Sequence, residues 1–345
     1  MVHFLHNKIL KLFIIFIILT AASLALMGLA SCKFKIVDKY EVTREMMGTY
    51  ITVVVYSDEK SAEEAIGAAF RRLGEIESIA SIYDENSEAS RLNNEGIIES
   101  PSREFRELID LSVNYYNVSS GSFDITISPV LELWKEGLWM ESEEVQAERV
   151  EETLKYVGSD KIIIEDNKIY FETSGMSIDL GGIAKGYAVD EALEVLSGLG
   201  IENALINAGG DIGTIGIKPD GTGWLVELDN PFEDEEDPGT IEPLPGFIIE
   251  EMAVATSGNY YRYYDPEKRV HHITDPMTGY SAEGTISVTI ITSSCTAADV
   301  LATSVFVKGP TNGMKLIEEI DGVEGLIIDD AGEIITSTGL SIYMK

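Results

Sequence analysis

Between Thr49 and Ile79 the chain changes its hydrophobic period, and that change alone rules out an all-helical or an all-strand fold. Residues 49–56, TYITVVVY, are rich in β-branched and aromatic side chains, the composition of a buried strand. Directly after them Ile66, Ala69, Phe70, Leu73, Ile76 and Ile79 recur at helical spacing, so residues 62–79 are expected as an amphipathic helix. A second helix is expected from Pro101, with Ser100 as its cap and Phe105, Leu108, Leu111 and Tyr115 on one face.

The same alternation runs to the C-terminus. KIIIEDNKIYFE reads as a hairpin turning at Asp166-Asn167. In DLGGIAKGYAVDEALEVLSGLG a glycine-rich loop enters a helix that stops at Gly198 or Gly200. Strands are expected around residues 204–207, 212–217, 224–228 and 285–292, helices over 296–307 and 311–320, and strands at the end. Residues 229–245 are acidic and punctuated by proline and glycine, which marks a solvated loop; the ligand spacing of a calcium loop is missing. With no internal repeat and no clean linker, residues 46–345 are expected to form one continuous α+β body.

Residues 1–31 read differently. Lys8 and Lys11 precede an apolar run from Leu12 to Met27, and small residues lead to Leu29-Ala30-Ser31-Cys32, the pattern of a secretory signal. Leu-Ala-Ser-Cys resembles the lipobox of bacterial lipoproteins, which makes Cys32 the lipidated residue, residues 32–45 a tether and the body extracytoplasmic. An uncleaved membrane anchor is the alternative, and the run is shorter than the ~20 residues a comfortable span needs.

The net charge of −34 excludes nucleic acid as a natural partner, because phosphate backbones demand a basic face. Rare side chains restrict the chemistry further. With Cys32 used by the anchor, Cys295 stands alone, and His3 and His6 belong to the leader, leaving His271 and His272. A multi-histidine or cysteine-rich zinc site is therefore excluded.

Asp299 and Thr303 lie four residues apart in TAADVLATSVFVKG and share one helix face. A carboxylate and a hydroxyl so placed offer hard oxygens to Mg²⁺, although a capped helix with a buried polar pair has the same spacing. In the segment 179–186, DLGGIAKG, glycines permit close approach of backbone to ligand, the helix N-terminus favours anions, and Lys185 can meet a phosphate. A tight strand-to-helix turn explains the glycines equally well but not the lysine. HHITDPMTG places the histidine pair on a loop, where an imidazole can serve as a base, and no GxSxG elbow supports a serine nucleophile.

Eight segments in order, MGTYITVVVY, SIYDENSEASRLN, GSFDITISPVLELW, SIDLGGIAKGYAVDEAL, NAGGDI, ATSGNYYRYY, HHITDPMTG and SVTIITSSCTAADVLAT, resemble the ApbE family of FAD:protein FMN transferases. The resemblance runs from Met47 to Thr303 and implies an ApbE-like, T-fold-like α+β fold of mixed sheets and packed helices. It implies Mg²⁺ on an FAD diphosphate, departure of AMP, and FMN esterified to a Thr or Ser of a target protein. It assigns the metal to Asp299, Thr303 and the Gly182 carbonyl, and the role of base to His272. For FAD it points to Met47, Tyr83, Ser122, Phe123, Asp124, Asp179, Lys185 and Thr274. The implied acceptor is an FMN-binding-domain protein or a subunit of a membrane redox complex. Hydrolysis of FAD to FMN and AMP, or flavin binding without catalysis, are the competing outcomes. Three positions depart from the family pattern: Ser128 for a usual glycine, Met277 within what is commonly DPRTG, and Ala302 where some members carry another acid.

Overall fold

The computed structural model describes residues 37–232, 244–260, 262–267 and 269–345. The leader, Cys32 and most of the acidic loop lie outside the described residues.

Strand β1 (Asp38–Met46) turns at Met47-Gly48 into β2 (Thr49–Ser57), whose alternation sorts its side chains between two cores. Ile51, Val53 and Val55 face the helices, whereas Val54 joins the opposite core. The tether expected to reach residue 45 is corrected here, since from Asp38 the chain is already an edge strand beside β2. Its polar, exposed composition fits an edge and conceals it from a search for apolar strands.

Helix α1 (Glu59–Ala80) starts at Asp58, whose carboxylate accepts the Ser61 N–H, and buries Ile66, Phe70, Leu73 and Ile76. Short α2 (Glu88–Glu95) and β3 (Ile97–Glu99) precede α3 (Arg103–Val118). The cap of α3 is Ser102, which accepts the Phe105 N–H, and not Ser100, which adopts a left-handed φ of 53°. Helices α4 (Ser128–Lys135) and α5 (Glu143–Thr153) lead to the expected hairpin of β4 (Ile162–Glu165) and β5 (Lys168–Phe171).

After α6 (Ala184–Gly198) come β6 (Ala204–Ala208), β7 (Asp211–Ile215), β8 (Trp224–Val226), β9 (Phe247–Ile249), β10 (Ala253–Gly258) and β11 (Thr285–Thr292). Helix α7 (Cys295–Glu319), β12 (Glu324–Asp329) and β13 (Ile334–Thr336) complete the described elements. The two helices expected over 296–307 and 311–320 are both present: α7 breaks into two helical parts at Gly309, whose φ of 72° and ψ of 173° are non-helical, directly before Pro310.

The main sheet has eight strands in the order β1-β2-β6-β7-β10-β11-β12-β13, and β2–β6–β7–β10–β11–β12–β13 pair antiparallel throughout. Helices α1, α6 and α7 cover one face over the larger core. The β8–β9 pair and Leu340 cover the other, around Val254, Ile291 and Phe247. Residues Lys39–Lys345 cluster as one compact unit, and no helix among the described residues is long and apolar enough to cross a membrane.

Candidate active site

Two helix N-termini meet over the sheet, and small residues set the distance between them. A Cβ on Gly186 of α6 would lie 2.5 Å from the Cys295 carbonyl oxygen and 2.9 Å from the Asp299 Cβ of α7. Glycine is thus required for this close approach. Its N–H donates to Asp299 Oδ2 at 3.1 Å. One turn earlier, a Cβ on Gly182 would stand 3.6 Å from Thr303 Oγ1 and 3.2 Å from the Phe123 ring. Gly182, Asp299 and Thr303 are therefore brought together where the two helices meet, with the buried Phe123 ring against Gly182.

Asp299 is 5% exposed, and its carboxyl is pushed up to about 7, first by burial and then by the neighbouring Asp211 carboxylate, with Lys185 opposing both. The Lys185 ammonium pairs with Asp211 at the start of β7. Burial disfavours its charge, but Asp211 and Asp299 outweigh that and hold its pKa above the ordinary lysine value. Thr303 Oγ1 lies 3.1 Å from the Ser257 hydroxyl at the end of β10.

These residues fit a divalent cation of the hard, oxygen-seeking kind. Among the described residues no group of three or more His, Cys, Asp or Glu could hold a metal ion, so a site here would use one carboxylate, one hydroxyl and backbone carbonyl oxygen. Mg²⁺ accepts such a sparse set because it keeps waters and substrate phosphates. A buried carboxylate whose ionised form is penalised by a second carboxylate is one that a cation would relieve. Ala302 is fully buried and offers no further donor.

The glycine loop is held from outside. Asn93 of α2 clamps Ile178, its amide donating to the Ile178 carbonyl at 2.9 Å and accepting the Ile178 N–H at 2.7 Å. Asp179 donates its N–H to the Ile125 carbonyl at 2.8 Å, and its carboxylate accepts the Gly181 N–H at 2.7 Å. Burial raises the Asp179 pKa.

Both histidines border the site, with different surroundings. His271 is 5% exposed and packs edge-on against Phe306 of α7, its Nε2–H donating to the Ala282 carbonyl at 3.0 Å. His272 is half-buried and its Nδ1 lies 3.3 Å from the Arg262 carbonyl, which leaves Nε2 as the free lone pair. Burial pushes His272 down to about 4, the Arg262 carbonyl acting in the opposite direction, and Lys185 is close enough to add to the lowering.

The remaining expected flavin contacts divide into groups. Tyr83 is 80% exposed, its ring 5.6 Å from the Lys135 ammonium, and Thr274 is buried with its hydroxyl unpartnered. Ser122 is buried and donates to the Ser119 carbonyl at 2.7 Å. Asp124 is buried and held from inside the protein. Its carboxylate accepts from Thr126 N and Oγ1 and from Ser159 N and Oγ, which uses its acceptor capacity within the protein. Met47 stands at the β1–β2 turn with φ 53°, its N–H donating to Glu77 at 2.7 Å. Asp211, Asn93, Ser257 and Arg262 were not singled out from the sequence. The only trace of them was their place inside the quoted segments NAGGDI, SRLN and ATSGNYYRYY, or beside the histidine pair.

The ApbE family model matches residues 47–327. The FAD:protein FMN transferase of Vibrio cholerae is 30% identical over 85% of this chain and 88% of its own, and that of Haemophilus influenzae 29% identical over 92% and 94%. The crystal structure of the ApbE protein of Thermotoga maritima superposes with a TM-score of 0.79 at 31% identity, covering 89% of this chain and all of that one. The flavin transferase ApbE of Vibrio cholerae shares the fold with a TM-score of 0.75. By sequence over most of its length and by fold, this chain belongs to the ApbE family.

Proposed function

We propose that this chain is an FAD:protein FMN transferase that uses Mg²⁺ and modifies a Thr or Ser hydroxyl of a protein outside the cytoplasm. The observation that carries the reading is the convergence of Gly182, Asp299 and Thr303 beside Lys185 and His272, in a chain whose curated relatives are named for this transfer. Asp299, Thr303 and the Gly182 carbonyl would hold Mg²⁺, which supplies neutralisation of charge on the phosphoryl group. Lys185, already positioned by Asp211, attracts the diphosphate, and the N-terminus of α6 adds its positive end. His272 Nε2 takes the proton of the acceptor hydroxyl as its oxygen bonds to the FMN phosphorus. The bond from that phosphorus to the AMP phosphate breaks, AMP leaves, and a phosphoester joins FMN to the protein. Export and anchoring at Cys32 rest on the Leu-Ala-Ser-Cys pattern.

The test incubates the protein with FAD, Mg²⁺ and an FMN-binding domain carrying an acceptor threonine. Covalent flavin on that domain is expected, with Asp299→Ala abolishing both flavinylation and AMP release. Free FMN released equally fast with and without acceptor would identify a hydrolase, and FAD surviving intact would identify a flavin binder; either result overturns the transferase reading.

A further inference from the structure

Resting on the Mg²⁺ reading above, we infer that Asp190 is the positioning residue for the metal pair, anchoring the N-terminus of α7 so that Asp299 and Thr303 face Gly182. Asp190 lies on α6, one turn beyond Gly186 and on the same face. Its carboxylate accepts four hydrogen bonds from the first turn of α7. Ser294 Oγ donates at 2.8 Å, the Cys295 N–H at 2.8 Å, the Thr296 N–H at 2.9 Å and Thr296 Oγ1 at 2.6 Å. Helix α7 has its own cap, Ser294, whose hydroxyl also accepts the Ala297 N–H at 3.3 Å. Asp190 satisfies the two backbone donors that this cap leaves open.

The consequence is geometric. Gly186 meets Asp299 through a backbone N–H and a contact too close for any side chain, and Asp190 grips the same helix one turn away. Two points of attachment fix both the rotation and the axial height of α7 relative to the glycine loop. Val300, Leu301, Val305 and Phe306 pack α7 into the core, and the Asp190 anchor adds the polar contact that sets its first turn, and with it Asp299 and Thr303, relative to Gly182. Asp190 also places a negative charge at the helix N-terminus, where it is favourable. Glu191, next along α6, points elsewhere: it pairs with Arg72 of α1 and stabilises the fold without touching α7.

In full-length protein saturated with ADP, a diphosphate that has no FMN to give, Mg²⁺ binding is measured by calorimetry beside ADP affinity without metal and the thermal midpoint. Asp190→Asn is expected to weaken Mg²⁺ binding about tenfold or more, the range for partners that orient metal ligands, with metal-free ADP affinity within about twofold. Thr296→Val, which removes a single donor, shifts Mg²⁺ binding in the same direction by less. Glu191→Gln lowers the thermal midpoint without moving Mg²⁺ affinity. Mg²⁺ affinity unchanged in Asp190→Asn, or weakened equally by Glu191→Gln, overturns the inference and leaves the transferase reading standing. Should Asp190→Asn fail to fold, an unchanged Mg²⁺ affinity in Thr296→Val overturns it instead. Failure of the unsubstituted protein to bind Mg²⁺ removes the metal reading and this inference together.

Discussion

In the proposed mechanism His272 carries the chemistry that distinguishes transfer from simple binding, and its surroundings set how it would work. A group pushed down to about 4 from 6.5 by burial is neutral, and so able to accept a proton, throughout the neutral range. His272→Ala is expected to slow flavinylation by roughly 10² to 10⁴ while leaving FAD binding intact, as judged by flavin fluorescence. At saturating Mg²⁺ the wild-type profile should show no histidine limb between pH 5 and 7. A limb near 6.5 that vanishes in His272→Ala would keep the role of base and contradict the lowered pKa. The same depression has a stability sign: the unfolded chain binds the proton at a higher pH than the folded one, so His272 removes stability as pH falls from 6.5 toward 4. At this scale the sequence revealed residue types and little about their environments. Asp299, Thr303, Lys185 and His272 could be picked out, but Asp124 and Asp299 are both buried carboxylates and no local pattern separates them. Four protein donors surround the Asp124 carboxylate, whereas the Asp299 carboxylate accepts the Gly186 N–H.

Helices α6 and α7 act as a pair, and the element scale is where the site acquires its shape. Gly186→Ala tests this packing directly, since the new methyl would meet the Cys295 carbonyl, a backbone atom that cannot turn aside. The expected cost is about 1–3 kcal/mol of unfolding free energy, measured in urea, with weakened Mg²⁺ binding because the helices part at the proposed metal pair. Element positions were largely legible. The β2 strand, the Asp166-Asn167 hairpin and the helix opening at Ala184 all follow from period, turn chemistry and glycine placement. Boundaries were less so: α3 starts after Ser102 because Ser100 is spent in a left-handed turn, and the first part of α7 runs up to the break at Gly309, just past the expected end at 307. Both depend on backbone dihedrals that residue identity permits but does not impose.

At the scale of the whole molecule, the proposed lipid anchor at Cys32 can be tested directly. Cys32→Ala is expected to move the protein from the membrane fraction to the soluble fraction with FAD cleavage unchanged; retention on membranes would refute lipid anchoring. Sequence by itself determined the α+β class and the order of motifs that marks the family, because hydrophobic period and motif order are properties of the chain read along its length. Only the tertiary structure decided which residues share the pocket. It put Asp211 against Lys185, Asn93 on the glycine loop, Asp190 on the first turn of α7 and Ser159 against Asp124. Each of these pairs joins segments that are distant along the chain, and such contacts are set by how an antiparallel sheet and its helices stack, which no local pattern encodes.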